Sequence, residues 1–108
     1  MYKLVFSKTF REDVRASVDY IKHTLQAPAA ADRLKDEIKQ AYKTIKETPL
    51  LYPVVPNQYL ASFGLRFTMV KNYMLFYIVE DNQIYIVRFL YGARDWINIL
   101  QDTNTIEN

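Results

Sequence analysis

The sequence predicts an α+β fold of two layers. An N-terminal strand and an αα-hairpin pack on a small, mainly antiparallel sheet in the order β-α-α-β-β-β, with a short C-terminal helix. Three observations carry this. The stretch 72–96, NYMLFYIVEDNQIYIVRFLYGARDW, holds two runs of β-branched and aromatic residues with turn chemistry between them. Ahead of it lie two apolar stripes at helical spacing. Half of the 108 residues are hydrophobic, which suffices for one core and one domain over residues 1–108.

Taken in order, Tyr2 to Phe6 is a short strand, and Ser7 stands where a helix cap is needed. Phe10, Val14, Val18, Ile21 and Leu25 then recur at steps of three and four, one face of an amphipathic helix. Ala27-Pro28 interrupts it, because the residue before proline avoids the helical region. A second helix opens at about Pro28 with the stripe Ala31, Leu34, Ile38, Ala41 and Ile45, and ends at Thr48-Pro49. Leu50 to Phe63 reads as a long irregular connection, its aromatics arguing that it is packed down. Leu65 to Val70 is the next strand and turns at Lys71-Asn72.

In the central hairpin, a two-residue loop at Asp81-Asn82 sets Val79 opposite Ile84, Tyr77 opposite Ile86 and Leu75 opposite Arg88. Met74, Phe76, Ile78, Tyr85, Val87 and Phe89 then share the other face; a slip of one residue exchanges the faces. After the Gly92 corner, RDWINIL forms a helical turn or two that docks through Trp96, Ile97 and Leu100, and residues 101–108 are a frayed tail.

The charge is mildly basic, +2 with a pI near 8.8, which neither requires nor excludes a nucleic-acid partner. The absence of cysteine removes disulfides, thiolate catalysis and cysteine-ligated metal. His23 alone sits on a polar helix side as a solvated residue, so no metal site and no cofactor are expected. The N-terminus has no signal-peptide run, and no segment approaches the roughly 20 apolar residues of a membrane span. A soluble cytoplasmic protein follows as the expectation.

Three groups of side chains stand out. Lys39, Lys43 and Lys46, with Lys35, form a basic ridge on the second helix. It is either a solvated face balanced by Asp32, Asp36 and Glu47 or a footprint for phosphates or an acidic protein segment. Arg66, Lys71 and Arg94 lie at or beside strand ends, where a guanidinium can fork onto a phosphate or carboxylate. For Arg94 the alternative is an intramolecular pair, with Asp95 or a helix acid. Tyr91 adjoins the Gly92 corner, within reach of a ligand. Arg88, on an apolar strand, requires a carboxylate partner such as Asp19.

A first strand ending in FS, DYI late in the first helix, APAAADRLKDEI, ETPLLYP, GLR, NYMLFYIVED and IVRFLYGARDW follow one another in an order that resembles the RelE/ParE superfamily. These are toxins of bacterial type II toxin–antitoxin modules, and the resemblance spans roughly residues 2 to 100. It implies a toxin, a cognate antitoxin as partner, and a homodimer or toxin–antitoxin hetero-oligomer. The target it implies is either DNA gyrase or ribosome-bound mRNA. An mRNA endoribonuclease of this family works without metal, through arginines, lysines and an acid–base group. On that reading Arg94, Arg66 and Tyr91 are the catalytic candidates, Lys71, Arg66 and Arg94 the target contacts, and Lys39, Lys43 and Lys46 the antitoxin surface.

The nuclease equipment is thin. Met74 stands where nuclease branches commonly place an arginine, Leu100 near the position of their C-terminal tyrosine, and Tyr91 at a position often held by histidine. A tyrosine titrates ordinarily near pH 10 and is a poor base at neutrality. The resemblance therefore favours a ParE-like action on gyrase over mRNA cleavage. The competing class is a non-toxic module of the same fold that binds an antitoxin-like partner without catalysis.

Overall fold

The computed structural model describes residues 2–102 of the chain. Residues 103–108, most of the expected frayed tail, lie outside the described residues. The order is β1 (Lys3–Phe6), α1 (Lys8–Asp19), α2 (Pro28–Glu47), α3 (Gln58–Ala61), β2 (Leu65–Val70), β3 (Tyr73–Glu80), β4 (Gln83–Tyr91) and α4 (Trp96–Gln101). The four strands lie in the order β1-β4-β3-β2, with β1 parallel to β4 and the other neighbours antiparallel. The fold is the expected α+β arrangement, with α3 as an addition inside the connection that reads as irregular, and with a further layer on the far face of the sheet where two layers were expected.

Both faces of the sheet are covered. On one, Leu75, Tyr77, Ile84, Ile86 and Phe89 meet Phe10 and Val18 of α1 and Ala31, Leu34, Ile38 and Ile45 of α2. On the other, Met74, Phe76, Val87 and Leu90 meet Val55, Leu60, Leu65 and Leu100, with Trp96 against Phe76. Trp96 and Leu100 dock as α4 was expected to, but the third residue packed there is Ile99 and not the expected Ile97.

The hairpin register holds only as far as Tyr77. Val79 faces Ile84 and Tyr77 faces Ile86, but the register then shifts, so Phe76 pairs with Arg88 and Leu75 with Phe89, not with Arg88. A β-bulge has placed one extra residue, Val87, in β4. Beyond it the alternation of faces flips, which carries Phe89 into the helix-side core and Leu90 to the opposite one.

A bulge leaves backbone groups without a ladder partner. Here α1 supplies them. Ser7 caps α1 by accepting from the Phe10 N–H at 2.9 Å, and its Oγ donates to the Val87 carbonyl at 2.8 Å. Asp13 Oδ2 accepts from the Phe89 N–H at 3.0 Å and from Arg88 Nε at 2.7 Å, while Oδ1 accepts from Arg88 Nη2 at 3.1 Å. The partner of Arg88 is thus Asp13, six residues before the expected Asp19, because the bulge sets Arg88 against the first half of α1.

Helix α1 does not end as its stripe suggests. Tyr20–Thr24 is π-helical, with the Leu25 N–H donating to the Tyr20 carbonyl at 3.0 Å, and Gln26 closes it at φ 53°. The wider turn changes the phase, so Leu25, expected in the core, is 56% exposed. The connection after α2 is anchored rather than loose. The Tyr77 hydroxyl donates to the Pro49 carbonyl at 2.8 Å and Arg66 Nη1 to the Tyr52 carbonyl at 2.5 Å.

Asp13→Ala strands Arg88 and the Phe89 N–H in a site of which little is exposed, so urea unfolding is expected to show a loss of about 3–5 kcal/mol. Burial pushes the Tyr77 phenol up to about 12. Above pH 10 an unfolded chain releases that proton while the folded chain holds it, so stability falls as the pH climbs from 10 through 12. Tyr77→Phe is expected to be roughly 1 kcal/mol less stable at neutral pH and to lose less over that alkaline window.

Candidate functional site

Between the C-terminal half of α1, its π turn and the far ends of β3 and β4 runs a groove of about 750 Å³. Its floor is apolar and aromatic: Ile21, Leu25, Leu34 and Phe89, with Tyr20, Tyr73 and Tyr91 along it. Tyr73 stacks on Phe89 with ring centroids 4.7 Å apart and meets Tyr91 edge-on at 5.7 Å. Lys71 and Arg94 complete one end.

Local sequence explains how those cations arrive. Lys71 opens the two-residue turn from β2 to β3 at φ 55°, a left-handed conformation that tight turns use. Its Nζ lies 3.1 Å from Glu37 Oε2 of α2, an exposed pair that a competing anion displaces at little cost. After β4 the Gly92 N–H donates to the Asn72 carbonyl at 2.7 Å. A Cβ at position 92 would meet that same oxygen at 3.1 Å, so glycine is what lets the two turns approach. The Arg94 N–H then bonds back to the Tyr91 carbonyl at 3.0 Å, setting the guanidinium at the groove rim. Asp95 does not neutralise it, for its carboxylate accepts from the Asn98 backbone and side chain as the cap of α4. The ion pairs Lys35–Asp32, Lys71–Glu37 and Arg88–Asp13 do not involve Arg94.

The structure therefore brings three of the sequence-derived residues together, Lys71, Tyr91 and Arg94, and separates the fourth. Arg66 sits five residues before Lys71 on β2, roughly 17 Å away along an extended strand. Its guanidinium is turned onto the Tyr52 carbonyl, beside the bridge between Val54 and Arg66 that pins the connection to the sheet. It holds the fold together at this point. Lys39, Lys43 and Lys46 line the exposed side of α2, outside the groove, and His23 is solvent-exposed on the π turn.

Sequence reasoning missed Tyr20 and Tyr73 as groove residues and assigned Leu25 to the core. Tyr20 is adjacent to the apolar stripe, but only the π turn swings it and Leu25 toward the sheet end. Asp13, the one carboxylate among the described residues of the groove wall, has both oxygens engaged by Arg88 and the Phe89 N–H. What remains is an apolar trough with two cations at one end, suited to an amphipathic, anionic segment.

The comparisons with known proteins agree with this architecture. A structure of the chromosomal ParDE TA system from P. aeruginosa superposes with a TM-score of 0.69 over 84% of this chain and 96% of that one, at 18% identity, a likeness of fold. No curated protein sequence matches. The family model of the ParE toxin of the type II toxin–antitoxin system parDE matches residues 4–96. With that match spanning β1 to the start of α4, the chain belongs to the ParE toxin family of type II toxin–antitoxin systems.

Proposed function

We propose that this chain arrests growth by acting on DNA gyrase, and that a cognate antitoxin silences it by laying an acidic amphipathic segment in the groove between α1 and the sheet. The observation that carries the first part is the state of Asp13. Activating a 2′-hydroxyl for attack on its own phosphate needs a base within hydrogen-bond reach. The groove's carboxylate is fully engaged by Arg88 and a backbone N–H, and no histidine lines the groove. Two cations and three tyrosines favour binding over acid–base chemistry.

For the second part, the apolar floor takes the greasy face of such a segment, and Arg94 and Lys71 take its carboxylates. Lys39, Lys43 and Lys46, exposed on the outer side of α2, offer further contacts to an acidic chain that continues over the helices. Arg94 and Lys71 are also the residues we assign to target contact, with Tyr91 beside them. Blocking that rim is how the antitoxin would neutralise the toxin. Arg66 contributes to stability instead.

Induced expression without an antitoxin is expected to stop growth, and purified protein to inhibit supercoiling of relaxed plasmid by gyrase. Cleavage of ribosome-bound mRNA with supercoiling intact would overturn the gyrase assignment, and normal growth would leave only the binding-module reading. Arg94→Ala is expected to abolish growth arrest while changing unfolding free energy by no more than about 0.5 kcal/mol. Arg66→Ala is expected to do the reverse. It costs about 1–3 kcal/mol, by leaving the Tyr52 carbonyl without its donor, and the variant arrests growth below its lowered melting temperature.

A further inference from the structure

The flank of the sheet outside β2 has a different character from the groove. From Thr48 to Leu65 the chain carries no Asp, Glu, Lys, Arg or His, in a protein that is 24% charged. Within that stretch Leu50, Leu51, Val54, Tyr59 and Phe63 are each 40–66% exposed, and Met69 on β2 beside it is 52% exposed. Surface connections are normally polar, and a concentration of large exposed apolar side chains marks a contact surface.

The edge beneath it is half open. Val55 donates its N–H to the Leu65 carbonyl, and the Phe67 N–H donates to the Pro53 carbonyl, so the connection caps the first half of β2. Those bonds show that the backbone groups of Leu65 and Phe67 point outward. By the two-residue alternation of a strand Met69 does too, past the end of that cover. Among the described residues no backbone segment pairs with Met69 on that side. An uncovered strand edge beside uncharged apolar surface is what monomeric proteins avoid.

We propose that this flank is a self-association surface, at which two copies of the chain meet across a two-fold axis with their β2 edges antiparallel. Charge decides the occupant. A nucleic acid or an acidic segment needs cations; on β2 and its turn, Arg66 is turned inward onto the Tyr52 carbonyl and Lys71 is paired with Glu37 of α2. A two-fold contact sets a patch against its own copy, so every charge on it faces its like. An uncharged patch meets that requirement, whereas the lysine-rich side of α2 does not. Two-fold symmetry also pairs one edge strand with itself in the antiparallel sense, which the free Met69 backbone permits. The groove lies on the helix-covered face, and Met69 at the end of the flank adjoins its rim, sharing a hollow with Tyr91, Gly92 and Ala93.

Sedimentation velocity of the purified chain over the micromolar range tests this, and it reads association whether or not the protein is toxic. The wild type is expected to move from monomer to dimer with concentration. Leu51→Lys and, separately, Tyr59→Lys are each expected to weaken association at least about tenfold with an unchanged circular dichroism spectrum. Lys39→Glu, on α2, is expected to leave it unchanged. A wild type that stays monomeric throughout overturns the proposal, as does a dimer that both flank variants retain. Monomeric wild type together with variants that fold but no longer arrest growth would assign the flank to a different protein, and that too overturns it.

Discussion

The fold depends on how one irregularity in β4 is satisfied. An extra residue at Val87 shifts the ladder to β3 just where pairing with β1 ends at Ile86, and the Val87 carbonyl and the Phe89 N–H there, left unpaired, would each cost on the order of 1–3 kcal/mol. Helix α1 and its cap answer both with two side chains six residues apart: Ser7 donates to the Val87 carbonyl, and Asp13 accepts from the Phe89 N–H while its two oxygens take Arg88 Nε and Nη2. Helix and sheet are thereby fixed in rotation and in height. A purely apolar contact between α1 and the sheet would leave sliding freedom that these directional bonds remove.

The groove follows from that constraint. With the first half of α1 held against the bulge, its second half runs out over the end of the sheet, where the π turn presents Tyr20 and Leu25. The opposite wall is made by two turns that approach because residue 92 is glycine. Asp13 is spent on structure and Lys71 is held by the exposed Glu37, which leaves Arg94 as the cation at that end that no acid of the groove wall pairs. The same carboxylate that orders the fold thus sets the electrostatic character of the trough.

The protein divides its surface by charge. Cations gather at the groove and along α2, whereas the connection outside β2 is uncharged over 18 residues, Thr48 to Leu65. The first surface has the charge to suit an anionic partner and the second the apolar character to suit an uncharged one. This gives a chain of 108 residues room for more than one contact at a time.

Local chemistry fixed much of this in advance. The spans of β2 and α2, the Ser7 cap, the turns at Lys71-Asn72 and Asp81-Asn82 and the docking of Trp96 and Leu100 follow from propensity, periodicity and turn residues that act over a few positions. The cationic rim at Lys71 and Arg94 was legible because both flank strand ends. What the sequence alone could not decide were the bulge at Val87, the choice of Asp13 for Arg88, the π turn and the inward turn of Arg66. Each is settled by partners distant in the chain: Asp13 lies 75 residues from Arg88, and Tyr52 lies 14 from Arg66. A strand pattern of period two reads the same with or without an inserted residue until a helix is there to satisfy the groups the insertion frees.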